Sequence, residues 1–326
     1  MRAIRVPKQG DASVMECVEV ATPQAGEAEI LVRLEATGVN FLDIQQRLGR
    51  YPGGVSFPYI PGYEGAGTVV KVGPDAQEFS VGDRVVVVDV LGCYAEAIAV
   101  PWERAVKLPD GLQPRIAAAA ILQALTAYVL VTETYIVQPG DWVLVHAGAG
   151  GSGRMLIQSA KALGAVVVAT VSTEEKAIVA RGVGADHVIL YSHEDFVGAS
   201  RALTGFPGFA AIYDSIGPGT LEPGLALLRP RGVMVSYGKS AGPIPPLELD
   251  ILNRLGSLYV TRPNLMHHIR RREDLVTKSN AVFGEILANR LKVSIETVYP
   301  LAEAAAAQDA LSSRATIGKL VLTPGD

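Results

Sequence analysis

Little in this chain fixes it covalently or marks it electrostatically. Cys17 and Cys93 are its only cysteines in 326 residues, too few for a disulfide framework and suited to a reducing compartment. Neither sign of charge dominates. The 29 Lys and Arg against 33 Asp and Glu leave a net charge of -4, which offers no long-range attraction for nucleic acid. Histidine is scarce, with five in all. His267 and His268 are adjacent, a spacing that seldom ligates a metal unaided, and they read as surface residues. No uninterrupted apolar run reaches the ~18 residues of a membrane span. The opening MRAIRVPKQG has no apolar core of the signal-peptide kind. VGDRVVVVDVLG, short and β-branched, reads as a buried strand. The expectation is a soluble cytoplasmic protein with no membrane partner.

What is present is an ordinary globular composition, 49% hydrophobic and 19% charged, over a length that favours two domains. Up to about Arg104 the chain reads as β-structure: runs such as EILVRLEATGV and GAGTVVKVG alternate with Gly/Pro turns. Ala-rich helical sequence follows from Pro114 to Thr134. The pattern then changes. DWVLVHA, VVVATV, HVILY, AAIYDSI, GVMVSYG and GSLYVTR are apolar runs separated by helical segments such as RMLIQSAKALGA and TEEKAIVARGVGA. Uninterrupted apolar runs are what parallel strands covered on both faces require. The fold class is therefore α/β, with a doubly wound parallel-sheet domain at residues 124–264. Helical HHIRRREDLVTKSNAVFGEILANRL and terminal GKLVLTP return to the earlier style, so a discontinuous β-rich domain, 1–123 with 265–326, carries the other as an insertion.

Gly148-x-Gly150-x-x-Gly153 lies between the strand Val143–Val145 and a helix expected from Arg154 to Leu163. This is the placement a dinucleotide fingerprint requires. Gly148 is assigned the tight turn, Gly150 the close approach of backbone to pyrophosphate, and Gly153 close helix–strand packing. Free N–H groups and the positive dipole end of the helix then face the phosphates. The next strand selects the nucleotide. NAD sites usually carry an acid about 20 residues past the glycines. Here the strand ends nineteen residues after Gly153 at Ser172, in STEEK. Glu174 and Glu175 suit a helix start, and Lys176, one turn in, is placed for a 2′-phosphate. NADPH is the expected cofactor.

HAGAGGSG, QSAKALGAVVVATVSTEEK, YDSIG, GSLYVTRP, SSRATIGKLVL, GVNFLDIQQRLGRYP and FPYIPGYEGAGTV together resemble the NADPH-dependent quinone oxidoreductases. These are zinc-free, zeta-crystallin-like members of the medium-chain dehydrogenase/reductase superfamily, and the resemblance covers essentially the whole chain. It implies a GroES-like β-rich catalytic domain with an inserted Rossmann domain and the cofactor in the cleft between them. It implies phosphate contact by Gly150, Gly151, Ser152 and Gly153, and a 2′-phosphate site at Ser172, Lys176, Tyr191 and Arg314. A lysine, an arginine and two hydroxyls suit a phosphate dianion. Asn40, Asp43, Tyr51 and Thr126 match residues near the nicotinamide and acceptor. Tyr237, Gly238, Arg262 and Asn264 match segments lining the same cleft. A homodimer joined through the Rossmann domains is also implied.

Zinc alcohol dehydrogenases share the architecture but place Cys where this chain has Asn40, His where it has Tyr63, and Cys at the position of Leu122. Those side chains do not supply the roughly three N, S or O ligands that catalytic zinc needs, so no metal is expected. A ready electrophile, a quinone or an activated enone, is then the expected acceptor rather than an alcohol. Asn40 and Tyr51 are candidates to hydrogen-bond a quinone oxygen or the nicotinamide carboxamide as charge develops, with Asp43 orienting them. Many relatives carry Tyr where this chain has Gln45, which weakens the case for a flat quinone. The rivals are an NADPH-dependent enone or enal (alkenal) reductase and an NADPH-binding structural or RNA-binding protein. The last rests on Arg270, Arg271 and Arg272, which read instead as a solvated helix start.

Overall fold

The computed structural model describes every residue except Pro52, Phe206, Pro207, Arg314, Ala315 and Asp326. The chain divides into two units. One comprises Met1–Leu122, Ile269–Leu287 and Val293–Asp326; the other comprises Gln123–His268 and Ala288–Lys292.

The strands, in chain order, begin with β1 (Arg2–Arg5), β2 (Glu16–Glu19), β3 (Glu29–Gly38), β4 (Glu64–Val72), β5 (Arg84–Val88), β6 (Ala97–Pro101) and β7 (Ala105–Lys107). Next come β8 (Trp142–His146), β9 (Val166–Val171), β10 (His187–Leu190), β11 (Phe209–Asp214), β12 (Leu228–Ser236) and β13 (Tyr259–Thr261). The chain closes with β14 (Ile295–Pro300) and β15 (Lys319–Thr323).

In the first unit β14, β15, β3, β4, β5 and β7 follow one another in a sheet, with β6 paired to β3. All pairings but β14 with β15 are antiparallel. Along β3, Arg33 and Glu35 are exposed between buried Val32, Leu34 and Ala36, the alternation of a half-covered strand. β5 is buried at Val85, Val86, Val87 and Val88 alike, so both of its faces are covered. Ile30, Val32, Val69, Phe79, Val85 and Val87 form one core.

The second unit is one parallel sheet in the order β10-β9-β8-β11-β12-β13. That is the doubly wound order, with its topological switch between β8 and β11. β8, β9 and β11 are almost wholly buried, as the apolar runs predict. Helix α1 spans Phe41–Arg47 and α2 Pro114–Val129; α3 spans Gly151–Ala162 and α4 Glu174–Gly182. The helix after the glycines thus begins at Gly151, three residues before the Arg154 expected. Gly151 and Gly153 occupy its first turn, where orphan N–H groups rather than side chains set the requirement. The apolar segment Pro114–Thr134 is long enough for a membrane span, yet 61% of its most apolar window is buried in the protein. It is packed as a core helix.

Candidate cofactor site and buried polar network

The turn between β8 and α3 is built by space rather than by glycine flexibility at Gly148. The left-handed residue is Ala147, at φ 54°, so the tight turn falls one residue before the glycine assigned to it. A Cβ on Gly148 would lie 2.7 Å from the Ala169 Cβ of β9, and one on Gly153 would lie 2.3 Å from the Ala147 carbonyl oxygen. Gly153 therefore does what the fingerprint asks of it, letting α3 approach the turn. Gly150 is the N-cap, with extended backbone (φ -71°, ψ 166°). The Arg154 N–H is the first to bond back within α3, to the Gly150 carbonyl. The N–H groups of Gly151, Ser152 and Gly153 head the helix and suit an anion.

Beside this turn, the C-terminal ends of β9 and β10 bring together Ser172, Lys176 and Tyr191. The Thr173 hydroxyl caps α4 by accepting from the Lys176 N–H at 3.3 Å. The first turn of α4 carries Glu174 and Glu175, as expected. The Lys176 ammonium donates to the Ser172 hydroxyl at 3.3 Å. Ser192 donates to the Ser172 carbonyl at 2.7 Å, and Tyr191 is exposed. Thr173 and Ser192 were not singled out in the sequence, although Thr before Glu-Glu is a readable N-cap signal. Arg314 lies outside the described residues.

At the far side of the sheet the Tyr237 and Gly238 N–H groups donate to the Asp214 carbonyl at 2.9 and 3.2 Å. Arg262 folds onto the Ser236 and Gly238 carbonyls at 3.2 and 3.3 Å. Asn264 accepts the Met266 N–H at 3.1 Å, capping a short helix. Thr126 is half-buried on α2. The glycines, Ser172, Tyr191, Tyr237 and Arg262 thus share the carboxyl ends of a parallel sheet, where doubly wound folds bind ligands. The donor set fits a phosphorylated dinucleotide: a Cβ-free cradle at a helix N-terminus and a lysine–serine pair beyond it. Beneath the cradle, His146 is buried with Nδ1 2.8 Å from the Thr170 hydroxyl. Burial pushes its pKa down to about 4, against a smaller opposing pull from Asp214.

The first unit holds a buried polar network around the start of α1. Glu64 and Lys319, with side chains 0% and 5% exposed, form an ion pair at 2.5 Å. Asn40 bridges them, donating from Nδ2 to Glu64 Oε1 at 2.7 Å and accepting on Oδ1 from Lys319 at 2.7 Å. The other Glu64 oxygen accepts the Leu122 N–H at 2.9 Å. A Cβ on Gly38 would lie 2.2 Å from Glu64 Oε1, so glycine there gives the carboxylate its place. Two of the three positions that hold zinc ligands in the alcohol dehydrogenases thus serve an ion pair. Asn40 is 3% exposed and its amide is turned inward. Its side chain is held between Glu64 and Lys319.

Asp43 Oδ2 accepts from the Asn40 N–H and the Tyr94 hydroxyl, both at 2.9 Å. Burial pushes its pKa up to about 7, against the lowering effects of the Asn40 N–H, the Tyr94 hydroxyl and Lys319. Tyr51 is 36% exposed and remains the outward-facing member of the trio. Among the described residues no three His, Cys, Asp or Glu side chains are grouped as metal ligands. His267 is exposed, and His268 sits 2.8 Å from Glu133.

The basic run is not simply a solvated helix start. Arg271 pairs with Asp274 at the surface, but Arg272 lies over the rings of Phe79 and Trp102 and bonds to Glu78 and the Ala105 carbonyl. Its side chain is 16% exposed, because cation–π packing and the ion pair replace water.

Residues 26–110 match the alcohol dehydrogenase GroES-like domain and residues 151–281 the zinc-binding dehydrogenase family. Over 98% of its length the chain is 41% identical to quinone oxidoreductase 1 of Escherichia coli, covering 99% of that protein. It is 40% identical to a 2-haloacrylate reductase of a Burkholderia species, over 99% of both chains. The solved structure of Escherichia coli quinone oxidoreductase complexed with NADPH matches with a TM-score of 0.96 at 41% identity, covering 99% of this chain and 100% of that one.

Proposed function

The chain belongs to the zinc-independent quinone oxidoreductases of the medium-chain dehydrogenase/reductase superfamily, and we propose that it passes reducing equivalents from NADPH to a small quinone. The observation that carries this reading is the Lys176–Ser172 pair at the end of an acid-free β9, in a chain otherwise like the NADPH-bound relative.

The chemistry a bound NADPH supplies is a hydride from the nicotinamide. The protein's own residues bind and orient. The N–H groups of Gly151, Ser152 and Gly153 would receive the pyrophosphate, and Lys176 with Ser172 and Tyr191 would receive the 2′-phosphate. The Glu64–Lys319–Asn40 network fixes the N-terminus of α1, and Tyr51 meets the acceptor oxygen where charge develops. Steady-state NADPH oxidation with 1,4-benzoquinone, 9,10-phenanthrenequinone, an alkenal and 2-chloroacrylate tests the acceptor. Turnover confined to the last two would replace the quinone reading with that of an enone-type reductase, which the likeness to a 2-haloacrylate reductase supports.

The same reading includes a homodimer. β13 is an edge strand of its sheet with Tyr259 54% exposed, and unpaired edges invite pairing with a second copy. Light scattering should give twice the chain mass; a monomer at micromolar concentration would remove this part. The reading also includes a cytoplasmic location, supported by the free thiols of Cys17 and Cys93. Cell fractionation tests it.

A further inference from the structure

From Ala117 to Val129, α2 carries only three polar side chains, those of Gln123, Thr126 and Tyr128. Ala120, Ile121, Ala124, Leu125 and Ala127 around them are buried. Gln123 and Thr126 stand three residues apart, hence on one face of the helix, and both are half-buried. Both lie in the second unit. A polar stripe on an otherwise apolar helix costs stability unless polar groups meet it.

Gln123 meets the glycine cradle. A Cβ on Gly151 would lie 3.5 Å from Gln123 Cγ and 3.9 Å from its amide carbon Cδ. The glutamine side chain therefore lies at van der Waals distance from the first residue of α3. The Gly151 N–H is one of the three donors that head this helix and suit an anion. Gly151, Ser152 and Gly153 bring no amide or cationic side chain of their own. Lys176 is engaged with Ser172 at the end of β9. Gln123 is the amide that a second element, α2, places against the cradle.

We propose that Gln123 is a further cofactor-binding residue, whose amide N–H donates to the diphosphate of the dinucleotide together with the backbone N–H groups of Gly151, Ser152 and Gly153. This rests on the glycine turn being the dinucleotide site. An amide suits the place for a physical reason. The positive end of α3 already supplies about half an elementary charge. A neutral donor adds a hydrogen bond to a charged oxygen without the desolvation cost of a cation on a half-buried helix face. The diphosphate is common to NADP+ and NAD+. Gln123 thus adds affinity for both and prefers neither, in contrast to Lys176.

The test is calorimetric titration with NADP+, NAD+ and ADP-ribose, the last carrying the diphosphate without the nicotinamide. Gln123→Met keeps the length of the side chain and removes its donors. It should weaken all three ligands by roughly tenfold, with the NADP+ to NAD+ ratio and the unliganded thermal midpoint as in wild type. Gln123→Glu keeps the shape and sets a carboxylate against the diphosphate. At pH 8 it should weaken all three by roughly a hundredfold, and part of the loss should return as the carboxyl gains its proton toward about pH 5. The methionine variant carries the test if the charged one fails to fold. A side chain that only packs on Gly151 would leave Gln123→Met with wild-type affinity, and that result overturns the proposal. Weakened NAD+ with unaltered ADP-ribose would put the amide at the nicotinamide and overturn the diphosphate contact. Wild-type protein that binds none of the three would overturn the dinucleotide site itself, and this contact with it.

Discussion

Lys319 and Glu64 form an ion pair almost without solvent, so each is costly without the other. Removing one partner of such a pair strands a buried charge and costs about 3–5 kcal/mol. Lys319→Met is therefore expected to lower the unfolding free energy from urea titration by that amount, whereas replacing both partners, as Lys319→Met with Glu64→Gln, should recover part of it. Equal losses in the single and double variants would contradict the pairing. Lys176 is different, being near the surface with its ammonium on Ser172. A charge-assisted hydrogen bond is worth about 1.5–3 kcal/mol. Lys176→Ala should weaken NADPH binding by about 10–100-fold and leave NADH nearly unchanged, measured by fluorescence titration. Equal effects on the two nucleotides would remove the 2′-phosphate role.

At the level of elements, the β8–turn–α3 unit shows what a sequence makes legible. A continuous apolar strand, three glycines and an amphipathic helix are local signals, and they identified the cradle. The start of α3 was misplaced because glycine is a poor helix former, so Gly151 and Gly153 read as loop. Here the helix tolerates them because Gly153 faces the Ala147 carbonyl at a distance no side chain fits. Gly153→Ala should force the turn to move, destabilising by about 1–3 kcal/mol and weakening NADPH. Unchanged affinity would show that the turn yields without cost to the site. The buried network was illegible for the opposite reason. Lys319 meets Asn40 across 279 residues and Arg272 meets Glu78 across 194; no local period or spacing encodes such contacts. Asn40 drew notice because it stands in a ligand slot, but its partners Glu64 and Lys319 carried no local signal.

For the whole molecule, two buried groups give stability opposite dependences on pH. The His146 pKa is depressed to about 4, so its contribution is present above about 6.5 and is lost as pH falls through about 4. Asp43, raised to about 7, contributes below about 3.8, and that contribution is lost as pH rises through 7. Between about 4 and 6.5 the two slopes oppose each other. His146→Phe should unmask the Asp43 slope, with the urea midpoint rising as pH falls from 7 toward 4. A midpoint that still falls over that window would contradict the raised Asp43 carboxyl.

The central claim concerns what the molecule uses and reduces. Its most direct test is kcat/KM for NADPH and for NADH with one quinone, 9,10-phenanthrenequinone, under identical conditions. The account predicts turnover with a preference for NADPH of at least about tenfold, the lower end expected for one charge-assisted contact. Equal efficiency with NADH, or no quinone turnover with either nucleotide, would contradict it.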